Sequence, residues 1–353
     1  MPTILLLLLA ALSLATWAHF AYWRRRLVIR DDADQQLVVP TVGGWKIALA
    51  RRRPRAPVRS PPILLCHGIA TNHRSLDFPA AGHSLAVHLA ERGFDCFALD
   101  LRGHGASTPG PAALKRWTLD DHLLEDIPAA LAAIREETGS PTVLWVGHSL
   151  GALLGLAACA LHPEQIEGVV AIAPPGQFGG DGALRLLVRL GSLGIGGLLG
   201  PFAKLWAPFG PTWHPGLAEL AIRRSNVEPE VYRLFLANAA ESVNPGVLAH
   251  LAHCIEGDRF LSFDHAVDYG AALGRCRRPA LFIAGERDGL SPPKAVQETC
   301  VRWGGPKRYL SAGAAYGHTD LLVGRRSAVD VYPLVAAWLE ERAPVAPGRA
   351  VSR

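Results

Sequence analysis

Charge is scarce in this chain. Of its 353 residues 19% are charged against 49% hydrophobic, and the first 23 contain no Asp, Glu, Lys or Arg. With so little charge the chain can bury a substantial core, as a single globular domain of this length does. Closely spaced cysteines are missing as well. Cys66 and Cys96 fall in candidate core strands and Cys159 in a candidate helix, with Cys254, Cys276 and Cys300 scattered beyond. That distribution speaks against a disulfide framework or a zinc site, and buried reduced thiols are the expectation. No histidine pair has ligand spacing with a third partner, so no metal is expected. The net charge of +5 is modest. Its arginine clusters, Arg24-Arg25-Arg26 and Arg51-Arg52-Arg53 to Arg59, lack interleaved aromatic residues. An anionic membrane surface therefore suits them better than nucleic acid. No obligate protein partner and no internal repeat is evident.

The uncharged start has a shape of its own. Ile4 to Tyr22 is almost wholly apolar and ends in Tyr22-Trp23 before three arginines. A bilayer-spanning helix needs about 20 such residues, followed by an interfacial aromatic and basic flank. A cleaved signal peptide carries its positive charge before the apolar run, whereas here the arginines follow it, although Ser13-Leu14-Ala15 offers a small-residue cleavage site. Residues 1–26 are expected to be a retained transmembrane anchor, with a signal peptide and export as the alternative. By the positive-inside rule a retained anchor leaves the rest of the chain in the cytoplasm.

Asp31 to Gln36 reads as a polar linker. Leu37-Val38-Val39-Pro40 and Trp45 to Ala50 form a candidate antiparallel hairpin through Gly43-Gly44, and the basic, proline-rich stretch from Arg51 to Pro62 reads as a loop. Strand and helix patterns then alternate as far as Gly168-Val169-Val170-Ala171-Ile172-Ala173, which implies an α/β fold with a mainly parallel sheet covered on both faces.

Within that pattern Ser149 stands in Gly147-His148-Ser149-Leu150-Gly151, directly after the apolar run Thr142 to Val146 and before the helical stretch Ala152 to Ala158. A serine hydroxyl is a weak nucleophile unless it is held clear of the backbone beside a base and backbone N–H groups, which a strand–turn–helix apex provides. Asp288 follows the strand candidate Ala280 to Ala284, in Gly285-Glu286-Arg287-Asp288-Gly289, and His318 follows the strand candidate Lys307 to Leu310. Glu286 is the nearest substitute acid. His67, His73, His104 and His148 read as turn or packing residues.

The order Ser, Asp, His, each at a strand exit, resembles the α/β-hydrolase superfamily over roughly residues 36 to 342. The resemblance implies that the turn Cys66-His67-Gly68-Ile69 and the nucleophile turn supply an oxyanion hole from the N–H groups of Ile69 and Leu150. It also implies that residues 175–275, which interrupt the alternation, form a helical cap between core parts 36–174 and 276–342, with 343–353 a flexible tail. Gly191 to Trp206, rich in glycine and apolar residues, is either a lid offered to lipid or a cap face packed on the core. Gly317 to Gly324 and the helix through Val331 to Leu339 look like the ends of acid-lipase-like and lysophospholipase-like lipid-ester hydrolases. Similar polyester synthases use cysteine as nucleophile, so Ser149 argues for hydrolysis. The expectation is a membrane-tethered serine hydrolase of carboxylic esters with long acyl chains, acting on small-molecule or lipid substrates. Amide, thioester or C–C cleavage on the same scaffold is the alternative, and a silent binding protein the second.

Overall fold

A computed structural model describes residues 2–80, 82–111, 113, 115–176, 185, 188 and 195–345. The described residues hold nine strands: β1 (Gln35–Pro40), β2 (Trp45–Arg52), β3 (Ile63–Cys66), β4 (Cys96–Asp100), β5 (Thr108–Pro109), β6 (Val143–His148), β7 (Ile166–Ile172), β8 (Ala280–Ala284) and β9 (Lys307–Ser311). They form one sheet in the order β1-β2-β4-β3-β6-β7-β8-β9, with β5 on β2. Pairing is antiparallel from β1 to β4 and parallel from there to β9. The expected hairpin and mainly parallel sheet are both present.

The central strands are apolar on both faces because both faces are covered. Along β3, alternation sends Leu64 and Cys66 to one side, with Trp145 and Val169, and Ile63 and Leu65 to the other, with Val146 and Val170. The first side is covered by α3 (Ile127–Thr138), α4 (Leu150–Leu161) and α9 (Pro293–Arg302). The second carries α2 (Leu85–Ala90) and α10 (Tyr332–Glu340).

Between β7 and β8 lie α5 (Leu199–Trp206), α6 (Pro229–Asn238), α7 (Pro245–Gly257) and α8 (Tyr269–Arg275). This stretch is less separate from the core than a lid would be. Val247, Leu251 and Leu273 belong to the same buried cluster as Trp145, and Tyr232 and Phe235 join the other face. Gly191 to Gly194 lie outside the described residues.

Two local expectations change. β2 runs on through Arg51 and Arg52, which are buried and ion-paired, Arg51 with Asp95 and Glu137 and Arg52 with Asp77 and Asp32. Neither is available to a membrane surface. Alternating apolar partners were missing from the sequence here because the strand satisfies its burial with charge pairs instead. At the other end Ala343 is buried, Arg59 donates to its carbonyl (2.9 Å) and Val345 bridges Arg59, so the expected tail is packed that far. Residues 346–353 lie outside the described residues. Before the sheet, α1 (Pro2–Leu27) is long and apolar enough to cross a membrane by length and composition.

Candidate active site

Ser149 sits at the junction of β6 and α4 with φ +53° and ψ −119°. A non-glycine residue held there stores on the order of 1–3 kcal/mol of strain, which its surroundings must offset. Its N–H donates to the Ile172 carbonyl (2.8 Å), and its own carbonyl accepts from Ala152 and Leu153 at 3.0 and 3.1 Å. The flanking glycines answer a steric demand. A Cβ on Gly147 would overlap the Gly151 carbonyl, and one on Gly151 would overlap the carbonyls of Cys66 and His67. Two further non-glycine residues with positive φ, Ala70 and Ala173, follow β3 and β7 at the same edge of the sheet.

Leu150 is the first residue of α4, so its N–H has no intrahelical acceptor. Ile69 lies in the turn after β3, and Gly68 brings that turn against the nucleophile: a Cβ on Gly68 would stand 3.0 Å from that of Ser149. His67 braces the turn. Its Nε2 accepts from the Leu101 N–H (3.2 Å), so its Nδ1–H donates to the Gly68 carbonyl (2.8 Å). Burial, followed by the neighbouring His104, pushes its pKa down to about 3 and keeps it neutral. His73 does the opposite. Both its nitrogens face carboxylates, Asp100 at 2.8 Å and Asp31 at 3.0 Å. Burial alone would lower its pKa, yet the two carboxylates outweigh it and raise the value to about 10. Asp100 also receives the N–H groups of His73 and Ala106, which fixes the turn after β4.

Asp288 and His318 come together. His318 Nδ1 donates to Asp288 Oδ2 at 2.7 Å, and Asp288 Oδ1 accepts from the N–H groups of Leu290 (2.8 Å) and Ser291 (2.7 Å). Both side chains are buried. Glu286 points elsewhere, accepting from Ser311 Oγ at 2.9 Å. With Nδ1 committed to Asp288, Nε2 is the ring nitrogen left for proton transfer. The His318 loop adjoins the nucleophile through His148: their rings lie 4.7 Å apart, and His148 Nε2 donates to the His318 carbonyl at 3.2 Å.

Asp320 escaped the sequence reading. Wholly buried, it accepts from Gly317 N–H (2.9 Å), Asn226 Nδ2 (2.8 Å) and Arg223 N–H (3.2 Å), tying the His318 loop to the helical segment above the sheet. Its place at the start of a short helix after the histidine was the only signal. Among the described residues no group of three or more His, Cys, Asp or Glu side chains could hold a metal. A cavity of about 660 Å³ between α1, Asn72 to Arg74 and Asn238 to Glu241 is lined by none of Ser149, Asp288 and His318.

The arrangement can present a hydroxyl at a helix start and an imidazole with a fixed tautomer at one edge of a sheet. A family model for the alpha/beta hydrolase fold matches residues 61–190. Triacylglycerol lipase 2 of Arabidopsis thaliana is 24% identical over 322 residues, covering 80% of this chain and 77% of the lipase. Lipase LipV of Mycobacterium tuberculosis is 34% identical over 124 residues, which span 35% of this chain and 40% of LipV. Among solved structures, a thermophilic esterase from Thermogutta terrifontis superposes with a TM-score of 0.57 at 17% identity, over 87% of this chain and 98% of the esterase. These likenesses show an α/β-hydrolase fold in this chain, one it shares with lipases and an esterase.

Proposed function

We propose that this chain, which has the α/β-hydrolase fold and is lipase- and esterase-like, cleaves carboxylic esters with Ser149 as nucleophile. The observation that carries the reading is the 2.7 Å bond from His318 to the buried Asp288, on the loop that adjoins the strained Ser149 turn. His318 takes the Ser149 proton through Nε2 as the hydroxyl attacks the ester carbonyl, and delivers it to the leaving alcohol. Asp288 holds the tautomer and stabilises the imidazolium. The N–H groups of Ile69 and Leu150 stabilise the tetrahedral oxyanion. An acyl-enzyme forms on Ser149 and water releases the acid, with no cofactor required.

The substrate is a lipid or other long-acyl ester. Exposed apolar side chains on the helical segment and the apolar α1 support this. We assign α1 as a retained anchor with the catalytic domain on the cytoplasmic side, supported by Arg24, Arg25 and Arg26 at its end and by six buried free cysteines. A fluorophosphonate probe tests the nucleophile: it should label Ser149 in the wild type and lose that label in Ser149→Ala. Labelling that survives the substitution would overturn the assignment.

A further inference from the structure

The last third of α1 is bolted to the domain. Leu27 is buried with Ala207 and Ala237, against which Trp23, Leu234 and Leu236 also pack. Asn238 closes the joint: its Nδ2 donates to the Leu27 carbonyl (2.8 Å) and its Oδ1 accepts from the Ile29 N–H (2.9 Å), while Arg74 donates to the Ile29 carbonyl (2.6 Å). An anchor joined this way carries the domain at a set height and orientation, since the amide bonds leave no free linker between them.

The joint brings a particular surface beside the helix. The His19 ring stacks on Phe209, with centroids 5.1 Å apart and planes within 6°. Trp206 gathers Phe202, Phe209 and Trp213 around itself at 5.9, 5.6 and 4.3 Å. Three of those rings face outward, Phe202 at 53% exposure, Phe209 at 46% and Trp213 at 57%, together with Leu198 and Leu199. Between Leu198 and Trp213 the sequence has one charged residue, Lys204, and it is paired with Glu241 at 3.1 Å. An apolar patch of this kind on a chain poor in charge marks an interaction surface.

Its depth identifies the occupant. His19 precedes Arg24 by five residues, about 7.5 Å along a helix axis. Phe209, stacked on His19, is therefore on the apolar side of the first charge of α1. When Arg24 to Arg26 lie among lipid headgroups, Phe209 and its aromatic neighbours are at the acyl boundary, where tryptophan and other amphipathic rings are most stable. We propose that the Leu198–Trp213 surface is immersed in the same leaflet in which α1 ends, giving the protein a second membrane contact that holds the helical segment against the bilayer. The inference rests on the assignment of α1 as a retained anchor and is independent of the ester chemistry.

Site-directed spin labelling of the full chain in phosphatidylcholine–phosphatidylglycerol vesicles tests it. Single cysteines replace Phe202 or Trp213, with Leu8 in the middle of α1 and Val329 on the far surface as references. All four are exposed, and the six native cysteines are buried. Labels at 202 and 213 should collide with oxygen and lose collisions with a water-soluble nickel chelate, as at Leu8 and unlike Val329. Nickel access at 202 and 213 with Leu8 shielded would overturn the second contact while leaving the anchor in place. Nickel access at Leu8 would instead remove the anchor and the inference with it. Dipolar broadening between labels at 202 or 213 of two molecules would assign the surface to a second copy, which also overturns it. Quenching of wild-type tryptophan by brominated lipid, compared with Trp213→Phe, gives a reading without added labels: the substitution should remove part of the quenched emission, and an unchanged quenched fraction would count against the proposal.

Discussion

The edge of the sheet around Ser149 and the helical segment around Trp206 are built on opposite terms. At the sheet edge polar groups are buried and committed: Asp288, His67, His73, Asp100 and Asp320 each make named bonds to side chain or backbone. Around Trp206, large apolar rings contact one another and remain open on one side. A buried polar network tolerates little displacement, because an unsatisfied group costs more than its hydrogen bond returned. An open aromatic cluster has no such constraint and suits a surface completed by something soft. Geometry is thus tightest around the proposed proton transfer and loosest at the proposed lipid contact.

The largest expected effect lies at the sheet edge. Ser149→Ala should lower kcat for ester hydrolysis by about 10⁴ to 10⁶ while leaving the fold intact. Circular dichroism beside the rate assay checks both halves, and residual turnover of more than a small fraction would displace Ser149 from its role. Asp288→Asn should cost about 10⁴ in kcat because the His318 tautomer is released, whereas Glu286→Gln should cost little. The reverse ranking would move the acid to Glu286.

Stability should divide along the same line. Trp145 is fully buried among the sheet helices, and Trp145→Ala should cost about 3–5 kcal/mol in urea unfolding. Trp213→Ala, at an exposed ring, should stay within about 0.5 kcal/mol in detergent. Equal losses would mean that the outward rings carry packing that the comparison denies them.

A response to pH is the remaining expected effect. Burial holds His67 at about 3 and lowers His104 and His148, so between pH 6.5 and the acid range the unfolded chain takes up protons that these folded histidines refuse. Stability should therefore fall as pH drops below 6.5, by up to about 1.4 kcal/mol per pH unit for each such histidine. His73 works in the other direction. Raised to about 10, its contribution is complete below 6.5 and is lost as pH climbs through 10. Unfolding midpoints measured from pH 5 to 10 should give a dome; a profile that keeps rising above pH 7 would contradict the charge assigned to His73.

The turn that carries Ser149 was legible because its signal is local: an apolar strand, two glycines and a small-residue helix within a few positions. Chain order at strand exits pointed to Asp288 and His318, with Glu286 kept as the substitute acid. Two turn carboxylates two residues apart look alike until one is seen 2.7 Å from the imidazole and the other on Ser311. Arg51 and Arg52 misled for the same reason, since a buried charge pair reads as a solvated cluster when its acidic partners lie elsewhere in the chain.

By itself the sequence determined the strand–helix alternation, the sharp turn at Ser149 and the apolar α1, because periodicity, glycine placement and hydrophobic length act over neighbouring residues. Tertiary structure alone decided which acid faces His318, that Asp320 ties its loop to Arg223 and Asn226, and that Asn238 grips Leu27 from 211 residues away. Those contacts join segments with no shared pattern. They arise only once the sheet has brought its strand ends to one edge, where each buried polar group must find a partner from whatever chain the fold has placed beside it.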